Sequence, residues 1–125
     1  MDKVQFRPAS VEDLDALVAL ENRCFSEDRL SRRSFRRFLE MPRDRLVVAE
    51  SAAGLVGYCL VLMSAATRLA RIYSIAVLPS ERGRGLGEQL ISQAEKVAVD
   101  AGRIIMRLEV REDNAGAVKL YRRHG

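Results

Sequence analysis

The feature that most restricts the fold is a strand, a glycine-rich turn, a helix and a second strand in immediate succession. "RIYSIAVLP" (71–79) has the β-branched and aromatic content of a strand and is stopped by Pro79. "PSERGRGLGEQL" (79–90) comes next, with Gly83, Gly85 and Gly87 set among Arg82, Arg84 and Leu86. Leu86, Leu90, Ala94, Val97, Ala98 and Ala101 then recur at helical spacing, and Gly102 is a natural C-cap for a helix over 85–101. "IIMRLEVR" (104–111) alternates, with Met106, Leu108 and Val110 on one face and Arg107, Glu109 and Arg111 on the other. Two strands joined by a helix imply a right-handed parallel crossover.

The residues before this unit add antiparallel structure. "VQFR" (4–7) reads as a short strand, and Ser10 with Asp13 has the spacing of a capping box. Leu14, Leu17 and Val18 mark the apolar face of a first helix, with Glu21 and Asn22 expected on other faces. Ser31 can cap a second helix, with Phe35, Phe38 and Leu39 on one side and Arg32, Arg33, Arg36 and Arg37 on the other. "RLVVAE" (45–50), a turn at Ala53-Gly54 and "LVGYCLVLM" (55–63) form a hairpin. Asn114 can cap a final helix carrying Val118, Leu120 and Tyr121. The order β-α-α-β-β-β-α-β-α predicts a mixed α/β (α+β) sheet with helices packed on it.

A strand that turns into a helix presents backbone N–H groups that have no intrahelical partner, at the positive end of the helix dipole. Glycines there allow positive φ and close approach, and Arg82 and Arg84 add charge. The loop therefore suits a phosphate or pyrophosphate. It is not a P-loop, because Gly87 is followed by Glu88 and Gln89 rather than Lys-Ser/Thr. It is not a Rossmann loop either, because Glu88 stands where the third glycine belongs.

Composition bounds the rest. The chain has 125 residues and reads as one domain, 1–125, with a formal net charge of +4. Lys3, Lys96 and Lys119 are its only lysines, so arginine carries the basicity. An anionic partner fits that charge. Nucleic acid is the least favoured partner, because the basic stretch lacks aromatic interleaving and a recognition motif. Cys24 and Cys59 lie in apolar or amphipathic runs without metal-ligand spacing, which points to reduced packing residues and no metal. Met1 is followed by Asp and Lys rather than an apolar run, and the apolar stretch 55–63 is too short to span a bilayer. The expectation is a cytoplasmic protein with no membrane contact.

"RGRGLG" (82–87) matches the Q/R-x-x-G-x-G/A signature of the GCN5-related N-acetyltransferases (GNAT). "IAVLPSERGRGLG" and "LEVREDNAGAVKLYRRHG" resemble the RimI type, which acetylates protein N-termini. The resemblance implies acetyl-CoA as cosubstrate, with its pyrophosphate on Arg82, Gly83, Arg84, Gly85, Leu86, Gly87 and Glu88. It implies that backbone groups of Ile75, Ala76 and Val77 line the pantetheine arm where the fourth strand bulges, and that one amide polarises the thioester carbonyl. Glu109 occupies the position that looks like the general base; a surface Glu paired with Arg107 or Arg111 is the plainer alternative. Tyr121 occupies the position of the general acid near the coenzyme sulfur, or else is a half-buried helix aromatic beside Val118. Asn114 can cap its helix and also contact the coenzyme. Tyr73 and Ser74 are candidates to approach the acceptor.

The acceptor implied is the amine of a peptide or protein. Alternatives are a small amine such as a polyamine or antibiotic, and a non-catalytic acyl-CoA-binding module. "CFSEDRLSRRSF" (24–35), where the family shapes its acceptor pocket, departs from the aromatic-proline pattern associated with ribosomal-protein acetylation. Family members also continue past "YRRHG" into two further strands. The expectation is thus a GNAT domain that is C-terminally short, whose strand 104–110 is an exposed edge open to homodimer pairing.

Overall fold

The computed structural model describes residues 3–41 and 44–108. Five strands form one sheet in the order β1-β2-β3-β4-β5. These are β1 (Gln5–Pro8), β2 (Arg45–Ser51), β3 (Gly54–Met63), β4 (Leu69–Val77) and β5 (Ile105–Leu108). The first four pair antiparallel, and β4 pairs parallel with β5. The helices are α1 (Leu14–Cys24), α2 (Arg32–Glu40) and α3 (Leu86–Asp100), with short 3-10 turns at Val11–Asp13 and Pro79–Glu81. The mixed sheet and the β4-α3-β5 crossover are those expected from the sequence. The final helix capped by Asn114, and everything from Glu109 onward, lies outside the described residues.

Alternation along the strands sends side chains to two cores. On one face Val47, Ala49, Cys59, Val61, Ile72 and Ile75 meet Leu86, Leu90, Ile91, Ala94 and Ala98 of α3. On the other face Leu46, Val48, Tyr58, Leu60 and Ala76 meet Leu14, Leu17 and Leu20 of α1 and Phe35 of α2. Fully burying a Leu or Ile side chain contributes roughly 1.5–3 kcal/mol, so these faces dominate stability.

Two register shifts set the details. Ala49 pairs with Gly57 but Glu50 with Leu55, so Val56 is an extra residue in β3. Leu60 pairs with Ser74 but Val61 with Ile72, so Tyr73 is an extra residue in β4. A bulge of this kind bends the strand and re-aims its side chains. Ile72 and Ile75 face α3, whereas Ser74 hydrogen-bonds to Tyr58 and Tyr73 packs against Phe38 of α2.

Several expectations need correction. Glu21 is fully buried rather than on a solvent face, because position i+7 from Leu14 returns it to the apolar stripe. Ala101 is exposed at the C-cap of α3, and Ile91 joins the buried face instead. β4 starts at Leu69, two residues earlier than its β-branched run suggests, and ends at Val77, since Pro79 opens the 3-10 turn. The β2–β3 turn residues are Ala52 and Ala53, with Gly54 opposite Ser51 at φ 119°.

Arg7 locks β1 to the start of the first helical segment. Its guanidinium donates two hydrogen bonds of 2.8 Å to Asp13 and two longer ones to Glu50. Asp13 also accepts the Ser10 N–H at 2.8 Å, as the capping-box spacing predicts. The Arg7 hydrogen bonds hold the Asp13 carboxyl below the usual carboxylate range. The stabilisation is therefore present above the unfolded pKa near 4 and is lost as pH falls through the lower folded value. Arg7→Ala should cost about 1 kcal/mol at neutral pH, discounted for the exposure of Arg7. In urea titrations the gap from wild type should narrow as pH falls through the lowered Asp13 value.

Gly57 faces α3, where a Cβ would lie 2.9 Å from the Ala76 carbonyl oxygen and 3.1 Å from Leu90 Cδ1. Gly57→Ala should destabilise by about 1–3 kcal/mol in chemical denaturation, because backbone on the neighbouring strand must move.

Candidate active site

β4 delivers its last residues straight to the mouth of α3. Ile75 and Ala76 are buried, and Val77 is half-buried. Their partners on β3 are Cys59, Tyr58 and Gly57. The other edge of β4 pairs with β5 from Leu69 to Ile72, where described β5 ends at Leu108. Leu78 N–H donates to the Val56 carbonyl at 2.9 Å, fixing the exit of the strand. Pro79–Glu81 then make a 3-10 turn closed by Glu81 N–H on the Leu78 carbonyl.

The two turn glycines are needed for conformation, not for room. Gly83 has φ 84° and Gly85 has φ 81°, and an added Cβ would meet nothing within 4 Å at either. Gly85 is the N-cap of α3. The first helical hydrogen bond there runs from Gln89 N–H to the Gly85 carbonyl. The N–H groups of Leu86 and Gly87 precede it and have no acceptor within the helix. Leu86 and Gly87 are themselves buried, so α3 begins anchored against the sheet. This cradle fits a pyrophosphate by its donors and by the open space beside its glycines.

The two arginines are less free than their positions suggest. Arg82 Nε donates to the Val77 carbonyl at 3.1 Å, and Arg84 lies 3.5 Å from Glu81. The Cys24 thiol donates to the same Val77 carbonyl at 3.5 Å, so α1, β4 and the glycine loop meet at one oxygen. Burial pushes the Cys24 thiol up, against the opposing charge of Arg82. Burial also pushes the Cys59 thiol up to about 12. Both cysteines thus stay protonated at neutral pH and are poor nucleophiles.

On the α1–α2 side, Tyr73 is partly exposed and packs at 6.3 Å from the Phe38 ring, over which Arg37 lies at 5.5 Å. Tyr73 and Ser74 are therefore both drawn to the side where α2 covers the sheet. Beneath them the Tyr58 hydroxyl donates to Glu21 at 2.6 Å and is 2.7 Å from the Ser74 hydroxyl. Sequence reading gives Glu21 and Tyr58 no role; the helical position of Glu21 is the one available signal. Ile75, Ala76 and Val77 end β4, and Arg82 through Glu88 form the turn and the first residues of α3. Glu109, Asn114 and Tyr121 lie outside the described residues.

A model of the acetyltransferase (GNAT) family matches residues 14–125. The chain belongs to the GNAT family. It is thus an acetyl-CoA-dependent N-acetyltransferase of the GNAT kind. A Bacillus subtilis (strain 168) relative, provisionally named a ribosomal protein bS18-alanine N-acetyltransferase, is 30% identical over 98% of this chain and 80% of its own. The N-alpha-acetyltransferase RimI of Mycobacterium tuberculosis is 34% identical over 74% of this chain and 58% of its own length. The PaiA N-acetyltransferase of Thermoplasma acidophilum, solved with coenzyme A, superposes with a TM-score of 0.86 at 19% identity. That likeness covers 98% of this chain and 89% of the PaiA chain, and it speaks for the GNAT fold. Among the described residues, no helix is long and apolar enough to cross a membrane.

Gly85→Ala keeps the space but not the conformation. Its stability should drop by about 1–2 kcal/mol. Calorimetric titration should show acetyl-CoA affinity falling at least tenfold as the loop relaxes from its left-handed turn.

Proposed function

We propose that this GNAT protein transfers the acetyl group of acetyl-CoA directly to the amine of a peptide or protein N-terminus. The observation that carries this reading is the bS18-alanine N-acetyltransferase relative, which aligns over 98% of the chain. The arrangement of β4 and α3 supports it. The loop from Arg82 to Glu88 would hold the pyrophosphate, and Ile75, Ala76 and Val77 would line the arm that leads to the thioester. Acetyl-CoA supplies the activated acetyl group. A backbone amide of Ile75, Ala76 or Val77, just past the Tyr73 bulge, would steady the negative charge that develops on the carbonyl oxygen.

The acceptor amine must be neutral to attack, so a base must take its proton. We assign that role to Glu109 and the protonation of the departing thiolate to Tyr121, with Asn114 as a coenzyme contact. Direct transfer needs no acyl-enzyme, in keeping with the protonated state of Cys24 and Cys59.

Charge separates a peptide from a polycationic small amine. Arg33, Arg36 and Arg37 are exposed on α2, and α2 covers the β4 bulge through Phe38 and Tyr73. A polyamine or aminoglycoside would meet repulsion there, whereas a peptide with acidic residues would not.

Calorimetric titration with acetyl-CoA is the first test, with Gly85→Glu as control. Saturable binding lost in the variant, followed by thiol release with peptide amines, is the expected result. Binding without thiol release from any peptide or small amine would replace the enzyme reading with that of an acyl-CoA-binding module. Glu109→Gln and Tyr121→Phe should each lower kcat by about 10²-fold or more with acetyl-CoA affinity preserved. Unchanged rates would remove those two assignments.

A further inference from the structure

The buried carboxylate of Glu21 is the most unusual group in the described core. It is 0% exposed, on a helix face otherwise made of Leu14, Leu17 and Leu20. Acidic side chains are rarely buried this fully unless they serve a partner. Its two oxygens serve different parts of the chain. Oε1 accepts the Tyr58 hydroxyl of β3 at 2.6 Å. Oε2 accepts the backbone N–H of Leu30, in the connection between α1 and α2, at 2.7 Å.

The chain of bonds continues into β4. Tyr58 Oη is 2.7 Å from Ser74 Oγ, and both groups are fully buried. The single Tyr58 proton goes to Glu21, so Ser74 is the donor in the last link. Ser74 immediately follows Tyr73, the extra residue of the β4 bulge, and precedes Ile75. Phe35 of α2 holds the Tyr58 ring edge-on at 5.6 Å. The connection itself is braced at its other end by Arg29, whose Nε donates to the Phe25 carbonyl at 2.6 Å. Asp28 there takes φ 53°.

We propose that Glu21, Tyr58 and Ser74 form a positioning relay that ties the connection 25–31 to the β4 bulge. The proposal rests on the functional reading above, in which Ile75, Ala76 and Val77, just past the bulge, line the arm that leads to the thioester, and on the resemblance that sets the acceptor pocket within 24–35. The relay sets the distance between the two. All three are positioning residues, because each acts through backbone that it holds rather than on a reacting atom. The carboxylate is suited to the task, since one rigid group accepts from two donors at once.

Glu21→Gln is informative because an amide can keep every link. Its oxygen accepts from Leu30, its NH2 donates to Tyr58, and Tyr58 then donates to Ser74. Tyr58→Phe keeps the ring and its packing on Phe35 but cuts two links. Glu21→Ala removes the centre.

The test uses the whole chain and two readouts. Amide hydrogen exchange at Leu30 and Ser74 is measured first, without any substrate. Tyr58→Phe should raise exchange at both sites about tenfold, while Glu21→Gln stays close to wild type. Steady-state kinetics with a peptide amine come second. Tyr58→Phe and Glu21→Ala should raise the amine KM about tenfold, with acetyl-CoA affinity within twofold of wild type and Glu21→Gln restoring KM. Folded Tyr58→Phe protein with unchanged exchange and unchanged amine KM would overturn the relay. So would Glu21→Gln behaving like Glu21→Ala, because charge rather than bond geometry would then be decisive. If wild-type protein turns over no amine, the peptide-acceptor reading falls, and exchange alone decides the relay.

Discussion

Two left-handed residues, Gly83 and Gly85, lie between the end of β4 and the start of α3, and the rest of the molecule holds that junction in place. The junction needs β4 to finish at a fixed height and α3 to begin against the sheet. Leu86, Leu90, Ile91, Ala94 and Ala98 meet the second need by burying one side of α3. Gly57 admits this packing, because any side chain there would press on the Ala76 carbonyl. Leu78 and Val56 meet the first need through a backbone hydrogen bond just past the strand. The donors at the helix N-terminus are therefore presented by packing on both sides, not by the loop alone.

Much of this was legible because it is local. The glycine spacing, the stripe of α3 and the Ser10–Asp13 pair each announce a structure within a few residues. The illegible part depends on pairing between distant segments. The extra residues Val56 and Tyr73 exist only relative to their partner strands, so no window of sequence reveals them. Glu21 resists sequence reading for a related reason: its polarity argues for solvent, while its helical phase argues for the core. Phase prevails because Tyr58 and the Leu30 N–H supply the partners a buried carboxylate requires. The proposed catalytic pair, Glu109 and Tyr121, is read from the motif alone.

The two cores divide the labour of the site. The α3 face is apolar throughout its buried part, as suits a support for a helix start. The α1–α2 face carries the polar interior, with Glu21, Tyr58 and Ser74 together and Cys24 reaching the Val77 carbonyl. β4 belongs to both, with Ile75 in one core and Ala76 in the other. β2 and β3 also alternate between the two cores, so both helical layers pack directly on the strand that the coenzyme arm is proposed to follow and on its neighbours.

The surplus residue at Tyr73 also gives β4 an asymmetry toward changes in length. Loss of one residue at the bulge would restore regular alternation and leave Ile75, Ala76 and Val77 facing as they do now. Gain of one residue would need a second bulge; without one it would turn the end of the strand toward the opposite layer. Shortening this strand by one therefore asks less rearrangement of the sheet than lengthening it by one.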